Sequence, residues 1–356
     1  MSQKLTRREF GLAAGCFTVA AGGLVGSGLE AFAAETVTHG IQIGALGALR
    51  TTLPEIGKKY GLDYEIKDFP DSTAVLLAVE QGGLVIGNTT VQHLVRAMSE
   101  GIPVKWIAGW GGGYNVLVAH KDLGVKPEDG GGLKSLVDAR KKQSKPLTIG
   151  VPTGSLQHAK LAIYLKSLSI DPDKDVQITN IPFPNHPRAL QAGEVDMAMP
   201  PSGFGALAIF KGDAYLYMHL YGDKFGKQEV GFIVANRLIH SNPALVQKIV
   251  QSHVDAMNLF VDKPDKQVEY EKKYSRFPEP VVEMNERKFL HYHYRTNIED
   301  VKKMARELHE LGWAKQDYSG KVESYIDLSF LSKASGCPWQ SFQRGDGGKF
   351  GCAQRA

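Results

Sequence analysis

Short apolar runs alternate with amphipathic segments along most of this chain, and this alternation limits its fold more than any other feature of the sequence. We expect strands at ten of the runs: Gly40 to Gly44, Asp63 to Phe69, Leu84 to Asn88, Val104 to Ala108, Asn115 to His120, Leu147 to Val151, Val176 to Ile181, Val195 to Met199, Ala214 to His219 and Val230 to Asn236. Asp71 and Ser72 are capping candidates for a helix over Thr73 to Gln81, and Lys58-Lys59-Tyr60-Gly61 is typical of a helix end. This order predicts an α/β fold, with a mostly parallel sheet and helices on both faces.

Two similar apolar strands, Asn115 to His120 and Gly231 to Asn236, bracket a self-contained strand–helix series from Lys121 to Tyr221. Strands that bracket an inserted domain predict two lobes with a hinge at those strands. After Pro243 the pattern changes to long helices, and from Ser335 the composition is typical of a disordered tail. The predicted divisions are a leader over residues 1–33, a first lobe over 34–119 and 231–334, a second lobe over 120–230, and a tail over 335–356.

The first 33 residues have the composition of an export signal. Thr6-Arg7-Arg8-Glu9-Phe10 resembles the twin-arginine signal, a weakly apolar stretch follows it, and Ala31-Phe32-Ala33 has the form of an A-x-A cleavage site. A membrane anchor is the alternative, but the apolar stretch is rich in glycine and the cleavage site follows it directly. Cys16 also lies in a lipoprotein-like box, too close to the arginines for us to expect a lipid there. We therefore expect removal of residues 1–33 and a periplasmic location.

Composition and motifs argue against several classes of function. The net charge of +4 over 356 residues is too small to indicate nucleic-acid binding. Gly44-Ala-Leu-Gly47 and Gly130-Gly-Gly132 lack the spacing of nucleotide-binding loops, and no G-x-S-x-G occurs. The histidines of His291-Tyr-His-Tyr294 would diverge on a helix, so we expect no metal there. No metal, cofactor or catalytic group is expected, and Cys337 and Cys352 are free to pair in an oxidising compartment.

Six segments follow the order found in one protein family. They are Ile41 to Gly44, Ala74 to Asn88, Gly101 to Lys105, Leu147 to Ser155, Ala189 to Ala198, and Phe232 to Val246. Over about residues 38–330 the chain resembles the periplasmic solute-binding proteins of ABC importers, in their nitrate, taurine and alkanesulfonate branch. One acidic position of the family is missing, because this chain has Gly82-Gly83-Leu84-Val85-Ile86-Gly87 where the family usually has G-x-x-D-x-x.

The resemblance implies a two-lobed periplasmic-binding-protein type II fold with a ligand cleft between the lobes. It implies a binding protein, not an enzyme, which captures a small organic anion (a sulfonate or carboxylate, aromatic ones included) or a nitrate-like anion. The expected partners are a permease and its ATPase at the inner membrane, and the protein is expected to be a monomer. Two alternatives stay open: a thiamine or pyrimidine-precursor binding protein or synthase-like enzyme of the same fold, and a sensor that presents its ligand to a signalling partner. The synthases rely on a Cys/His-rich stretch that this sequence lacks.

Thr153-Gly154-Ser155 is the first candidate for contact with the anion, because it follows a predicted strand and opens a helix. A helix start offers peptide N–H groups and a positive dipole end, and two hydroxyls stand beside them. Capping of the helix by Ser155 is the alternative, and one helix start can serve both roles. Arg50 follows the first strand and would either pair with the anion or lie on a solvated helix face.

The other candidates lie in segments that follow strands. Trp110, Gly111 and Tyr114 belong to a glycine-rich loop that would admit a ligand between two rings, although a tryptophan packed in the core is the alternative. Thr89 and Thr90 would bind oxygen atoms of the ligand or cap the next helix.

Three further candidates belong to the second lobe. Asn185, His186 and Ser202 stand in turns that prolines hold in place. We expect them to contact the ligand with little loss of entropy on closing.

Overall fold

The computed structural model describes residues 34–44 and 47–338, which form two five-stranded sheets with helices packed around them. The strands are β1 Glu35–Gln42, β2 Leu62–Phe69, β3 Ile86–Thr90, β4 Val104–Gly111, β5 Val116–His120, β6 Leu147–Val151, β7 Val176–Asn180, β8 Met197–Ala198, β9 Ala214–His219 and β10 Val230–Ala235. The helices are α1 Gly47–Gly57, α2 Ser72–Gln81, α3 Val91–Glu100, α4 Gly130–Lys142, α5 Leu156–Ser167, α6 His186–Gln191, α7 Ser202–Phe210, α8 Asn236–Ser241, α9 Pro243–Asp262, α10 Asp265–Tyr274, α11 Glu279–Met284, α12 Ile298–Glu310 and α13 Ser329–Ser335. Each predicted strand overlaps one of these strands.

Each sheet is mixed but mostly parallel, as expected, because one of its five strands runs opposite to the other four. The first sheet has the order β2-β1-β3-β10-β4, and the second has the order β7-β6-β8-β5-β9. In the first, β1 pairs in parallel with β2 and β3, while β10 runs antiparallel to β3 and β4. In the second, β5 is the antiparallel strand between β8 and β9. An α/β fold with two sheets is therefore confirmed, with one antiparallel strand inserted in each.

Local signals set the ends of the helices. The side chain of Asp71 accepts a hydrogen bond from the Ala74 N–H and caps α2, as predicted. Asn242 caps α9 in the same way, and Pro243 occupies the first helical position, where no N–H is needed. Gly61 has φ 69° at the end of the short turn after α1, a left-handed conformation that glycine adopts without strain.

The chain crosses twice between the two sheets. The first crossing joins β4 to β5 and the second joins β9 to β10. The division into lobes stays a prediction. That division assigned Val116–His120 mainly to the first lobe, but this strand pairs in the second sheet. The crossing at this point is therefore the short segment that precedes Val116, and not the strand itself.

The C-terminal end of the described chain is ordered where a tail was predicted to begin. Helix α13 runs to Ser335, Gly336 ends it in a left-handed conformation, and Cys337 is buried and disulfide-bonded. The predicted pairing with Cys352, the rest of the tail, the twin-arginine signal and Cys16 lie outside the described residues. Within 34–44 and 47–338, no helix is both long and apolar enough to span a membrane.

Candidate functional site

A cavity of about 720 Å³ lies among residues that follow strands of both sheets, and we call it the α5 cavity. The first sheet contributes Gln42 at the end of β1, Ile43 directly after it, and Thr90 at the end of β3. The second contributes the turn between β6 and α5 and also Asn180 at the end of β7. The carboxyl ends of strands in open α/β sheets commonly bind ligands, which makes this cavity the candidate site.

Three helices begin at the wall of the α5 cavity. Their N-caps are Asp71 for α2, Thr90 for α3 and Ser155 for α5, and all three residues line it. Each helix start carries about half a positive charge and peptide N–H groups without intrahelical partners. The lining side chains include one carboxylate, Asp71, and one guanidinium, Arg96, which offset each other. The helix ends therefore leave the described wall electropositive, a setting that suits an anion.

The start of α5 differs in detail from the prediction. The Thr153 N–H donates to Asn180 Oδ1 over 3.0 Å, and the Gly154 N–H donates to His158 Nδ1 over 3.1 Å. Ser155 Oγ accepts from the His158 N–H and donates to the Pro152 carbonyl. Ser155 therefore caps α5, which was the alternative to its contact with an anion. All three residues line the cavity, but these N–H groups and this hydroxyl already have partners. The donors left at this helix start belong to its first turn, at Leu156 and Gln157.

A second group of polar side chains, which the sequence analysis did not select, lies beside α5. Asn88 Oδ1 accepts from the Gln42 N–H over 3.1 Å, and Ser72 Oγ donates to Gln42 Oε1. These three side chains line a narrow space of about 30 Å³, to which Tyr114 also contributes. The space shares Gln42 and Ser72 with the α5 cavity and continues it inward. The sequence signal for this group was the strand end Asn88-Thr89-Thr90, of which Asn88 and Thr90 line the inner space.

His93 and Arg96 stand on one face of α3 at the α5 cavity and were also missed. Thr90 Oγ1 lies 2.7 Å from His93 Nδ1, and burial lowers the pKa of His93 to about 4. The imidazole is therefore neutral near pH 7. Arg96 is about half exposed, pairs with Glu100 and donates to Thr73 Oγ1. It supplies a cation to the cavity wall.

Trp110 and Thr89 lie in the core and not in the described cavity walls. Trp110 has no exposed surface, stacks on His253 with ring centroids 5.6 Å apart, and meets the edge of Phe232. The alternative of a core-packed tryptophan is thus the observed one, because the side chain points into the apolar side of the first sheet. Thr89 is fully buried, and Gly111, with φ 105°, is buried where β4 pairs with Val230. Trp110 therefore does not line any of the described cavities.

His186 and Asn185 also lie away from the described cavity walls. His186 is fully buried, its Nδ1 lies 3.1 Å from the Phe183 carbonyl, and burial lowers its pKa to about 4. Asn185 is exposed beside it, while its neighbours Phe183 and Pro184 line the α5 cavity. The proline-rich turn does reach the cavity, but with apolar side chains.

Arg50 and Ser202 lie near a third cavity, of about 810 Å³, which we call the Glu271 cavity after one of its lining residues. Ser202 is buried in its wall at the start of α7. The Arg50 side chain is buried behind the wall, where it pairs with Asp68 and stacks on Tyr274 at 4.4 Å. Arg50 is neither on a solvated face nor open to an anion, so both alternatives for it need correction.

A buried ion pair joins α5 to the crossings between the sheets. Lys160 Nζ lies 2.6 Å from Glu229 Oε1 and also donates to the Leu220 carbonyl. The Glu229 carboxylate further accepts from the N–H groups of Gly113 and Tyr114 and from Asn115 Nδ2. Both charged side chains are almost fully buried. This network holds both crossings against α5 and was not foreseen.

The described ranges contain no group of three or more His, Cys, Asp or Glu side chains placed to hold a metal ion. A model of the NMT1-like family matches residues 54–272, which is more than half of the chain. The chain belongs to the NMT1-like family. Both sheets and the α5 cavity fall largely within the matched range.

Two relatives of this NMT1-like chain have names that describe periplasmic binding proteins. One, from Brachyspira hyodysenteriae, is an ABC transporter periplasmic binding protein by name and is 29% identical over 159 residues, 43% of this chain and 45% of the relative. The other is the taurine-binding periplasmic protein of Escherichia coli, 26% identical over 211 residues, 58% of this chain and 61% of the relative. The matches thus span between about half and three fifths of the relatives' length.

Solved structures share the fold at low identity. The alkanesulfonate-binding protein of Xanthomonas axonopodis pv. citri superposes with a TM-score of 0.67 at 16% identity, over 83% of this chain and 98% of that protein. A desulfurization enzyme superposes with a TM-score of 0.61 at 14% identity, over 85% and 99%. The periplasmic-binding-protein fold is therefore confirmed, and it carries both binding proteins and an enzyme.

Proposed function

We propose that this protein is the solute-binding component of an ABC importer and that it captures a small organic anion in the α5 cavity. The observation that carries the proposal is the meeting of three helix starts and the Arg96 guanidinium at one cavity between the two sheets. Sulfonate and carboxylate groups are accepted at such helix starts without a full counter-charge. The name of the taurine-binding relative supports the same class of ligand, and the name of the other relative supports the role in an ABC transporter.

The electrostatics of the α5 cavity suit a carrier. A binding protein must hold its solute and then release it to the permease, so moderate attraction is an advantage. The three helix starts provide such attraction, while the charge of the half-exposed Arg96 guanidinium is offset by Asp71 in the same wall and by its partner Glu100. We infer that the solute is a sulfonate, a carboxylate or a nitrate-like anion.

We further propose that export by the twin-arginine signal delivers the protein to the periplasm, where it works as a monomer with a permease and its ATPase. The two lobes would close on the solute by bending at the two crossings between the sheets, β4 to β5 and β9 to β10. This places the hinge before β5 and before β10, next to the Lys160–Glu229 pair.

We propose binding without turnover as the whole activity. No observation in the described residues favours a catalytic group at the α5 cavity: its histidine, His93, is held by Thr90, and its one carboxylate caps α2. Incubation of the protein with each ligand that it binds, followed by mass spectrometry of the ligand, tests this point. Conversion of the ligand would contradict it.

Calorimetric titration of the purified protein with alkanesulfonates, carboxylates and nitrate tests the proposed site. We expect Arg96→Gln to weaken binding of the preferred anion about tenfold, because one charge-assisted contact is lost. Arg287→Gln is the matched control, since Arg287 is equally exposed but pairs with Asp265 and Glu283 away from the cavity. Equal effects of the two variants, or no anion bound at all, would overturn the proposal.

A further inference from the structure

Helix α5 packs against elements of both sheets. On one face, Leu161, Tyr164 and Leu165 join the core of the second sheet. On another, Leu156 and Ala159 are almost fully buried in a core that α3 and α12 form with strands β4 and β10 of the first sheet. Separation of the two sheets along this second face would expose apolar surface to water, which costs free energy.

Hydrogen bonds join both ends of α5 to helices that pack on the first sheet. At its start, Gln92 Nε2 of α3 donates to the Gly154 carbonyl over 2.9 Å. At its end, Lys166 Nζ donates over 3.3 Å to the carbonyl of Glu310, the last residue of α12. We call the contact of residues 154–166 with α3, α12 and the turn after α12 the α5 seam.

Trp313 contributes a large ring to the α5 seam from the turn after α12. Its ring lies against the imidazole of His158 in α5, with 4.6 Å between the ring centroids and an angle of 48° between the planes. The Trp313 side chain is 39% exposed, so it is not a core residue. Burial in a core therefore does not account for a tryptophan at this position, whereas contact with α5 does.

Backbone hydrogen bonds fix the turn that carries Trp313. The Gly312 N–H donates to the His309 carbonyl, and the N–H groups of Trp313 and Ala314 both donate to the Leu308 carbonyl. Gly312 has φ 76°, a left-handed conformation that ends a helix without strain when the residue is glycine. The tryptophan ring is therefore held toward α5 by an ordered support.

His158 connects the Trp313 contact to the wall of the α5 cavity. Its Nδ1 accepts from the Gly154 N–H over 3.1 Å, and Gly154 lines the cavity. Burial lowers the pKa of His158, so the imidazole is neutral near pH 7 and Nδ1 can act as an acceptor. Trp313 and His158 themselves stand outside the described cavity wall. Their ring contact can therefore form whether or not the cavity holds a solute.

We propose that Trp313 and His158 are positioning residues that form a latch between the two sheets and slow release of the solute. The inference rests on the proposed function, in which the two lobes close by bending at the crossings. The α5 seam runs from the cavity past Lys160, whose partner Glu229 lies in the second crossing. Opening at the crossings would part His158 from Trp313 before the solute leaves. The latch thus favours the closed state through a contact of its own.

The rate of solute release tests the latch in the full-length protein. The probe is the alkanesulfonate, carboxylate or nitrate salt that binds most tightly in the calorimetric titration. Isotopically labelled probe is bound, unlabelled probe is added in excess, and rapid filtration measures the label that remains on the protein. We expect Trp313→Ala to raise the release rate about threefold to tenfold, because an aromatic contact of the closed state is lost. The association rate should not fall, and Trp313→Phe, which retains a ring, should stay close to the wild type.

Further variants separate the latch from a general loss of structure. Phe210→Ala is the matched control, because Phe210 is also a large exposed apolar residue, at the end of α7 and outside the described cavity walls. It should leave both rates unchanged. His158→Asn retains an acceptor for the Gly154 N–H but lacks the ring, so it should release the probe as fast as Trp313→Ala does. The double variant should be no faster than either single variant, and thermal melting establishes that each variant is folded.

The outcomes separate this inference from the proposed function. If an anion binds and Trp313→Ala releases it at the wild-type rate, or slows association as much as it speeds release, the latch is wrong while the proposed function stands. If no anion binds, the proposed function is wrong, and small-angle X-ray scattering of the free proteins tests the latch alone. A larger radius of gyration for Trp313→Ala than for the wild type and Phe210→Ala would support the latch, and equal radii would overturn it.

Discussion

Single residues decide how firmly the two crossings are held to α5. Lys160 and Glu229 are buried as a pair, and the carboxylate also accepts three hydrogen bonds from the segment Gly113 to Asn115. A buried pair of this kind adds little over apolar packing, but removal of one partner leaves an uncompensated charge. The pair therefore matters mainly through the cost of losing either partner.

Lys160→Met should lower the free energy of unfolding by about 3 kcal/mol, because Glu229 would stay buried without its cation. Urea titration followed by circular dichroism measures the change. Lys166→Met, at an exposed position of the same helix, should change stability by less than about 0.5 kcal/mol. A second change, Glu229→Gln, should recover part of the loss in the Lys160→Met protein. Equal effects of the two lysine variants would disprove the role given to the pair.

Among the helices and strands, features that depend on neighbouring residues were predictable from the sequence. Pairing between strands that lie far apart in the sequence was not. Apolar runs revealed each strand, and Asp71 and Asn242 were identifiable caps, since these depend on residues three apart. The antiparallel insertion of β10 was not predictable, because it depends on residues more than a hundred positions away. The same reason explains why only part of the candidate site was predictable. Ser155 was predicted at the site from its local sequence, but Arg96 and Gln42 reach the α5 cavity only through the packing of the first sheet.

The start of α5 gives a prediction at this scale. Ser155 Oγ accepts from the His158 N–H, so Ser155→Ala should destabilise the protein by about 1 kcal/mol through loss of the cap. Ser155→Asp retains an acceptor and should retain most of the stability. Differential scanning calorimetry of both variants measures this. An aspartate variant as unstable as the alanine variant would contradict a capping role for Ser155.

The stability of the whole molecule depends on pH through its buried ionisable groups. Burial lowers the pKa of His93 and His186 to about 4 and that of His253 to about 3, from an ordinary 6.5. The unfolded chain protonates these imidazoles first, so their contribution is present above pH 6.5 and is lost as the pH falls through the folded values. Glu271 acts in the opposite sense, because its raised pKa gives a contribution that is present below pH 4.5 and lost as the pH rises through about 7.

Glu271→Gln removes this carboxyl contribution, since the amide does not titrate, and it also removes the repulsion by which Glu271 raises the pKa of buried Glu286, a change of the same sign. Relative to the wild type, this variant should gain about 3 kcal/mol in the free energy of unfolding between pH 4.5 and pH 8, because the wild type alone must keep a buried carboxylate charged at high pH. Urea unfolding at half-unit steps of pH measures the difference curve, with Glu269→Gln, an exposed carboxylate of the same helix, as the control. The histidines are common to all three proteins and cancel in the difference. A difference that is constant across this range would show that Glu271 titrates as it does in the unfolded chain.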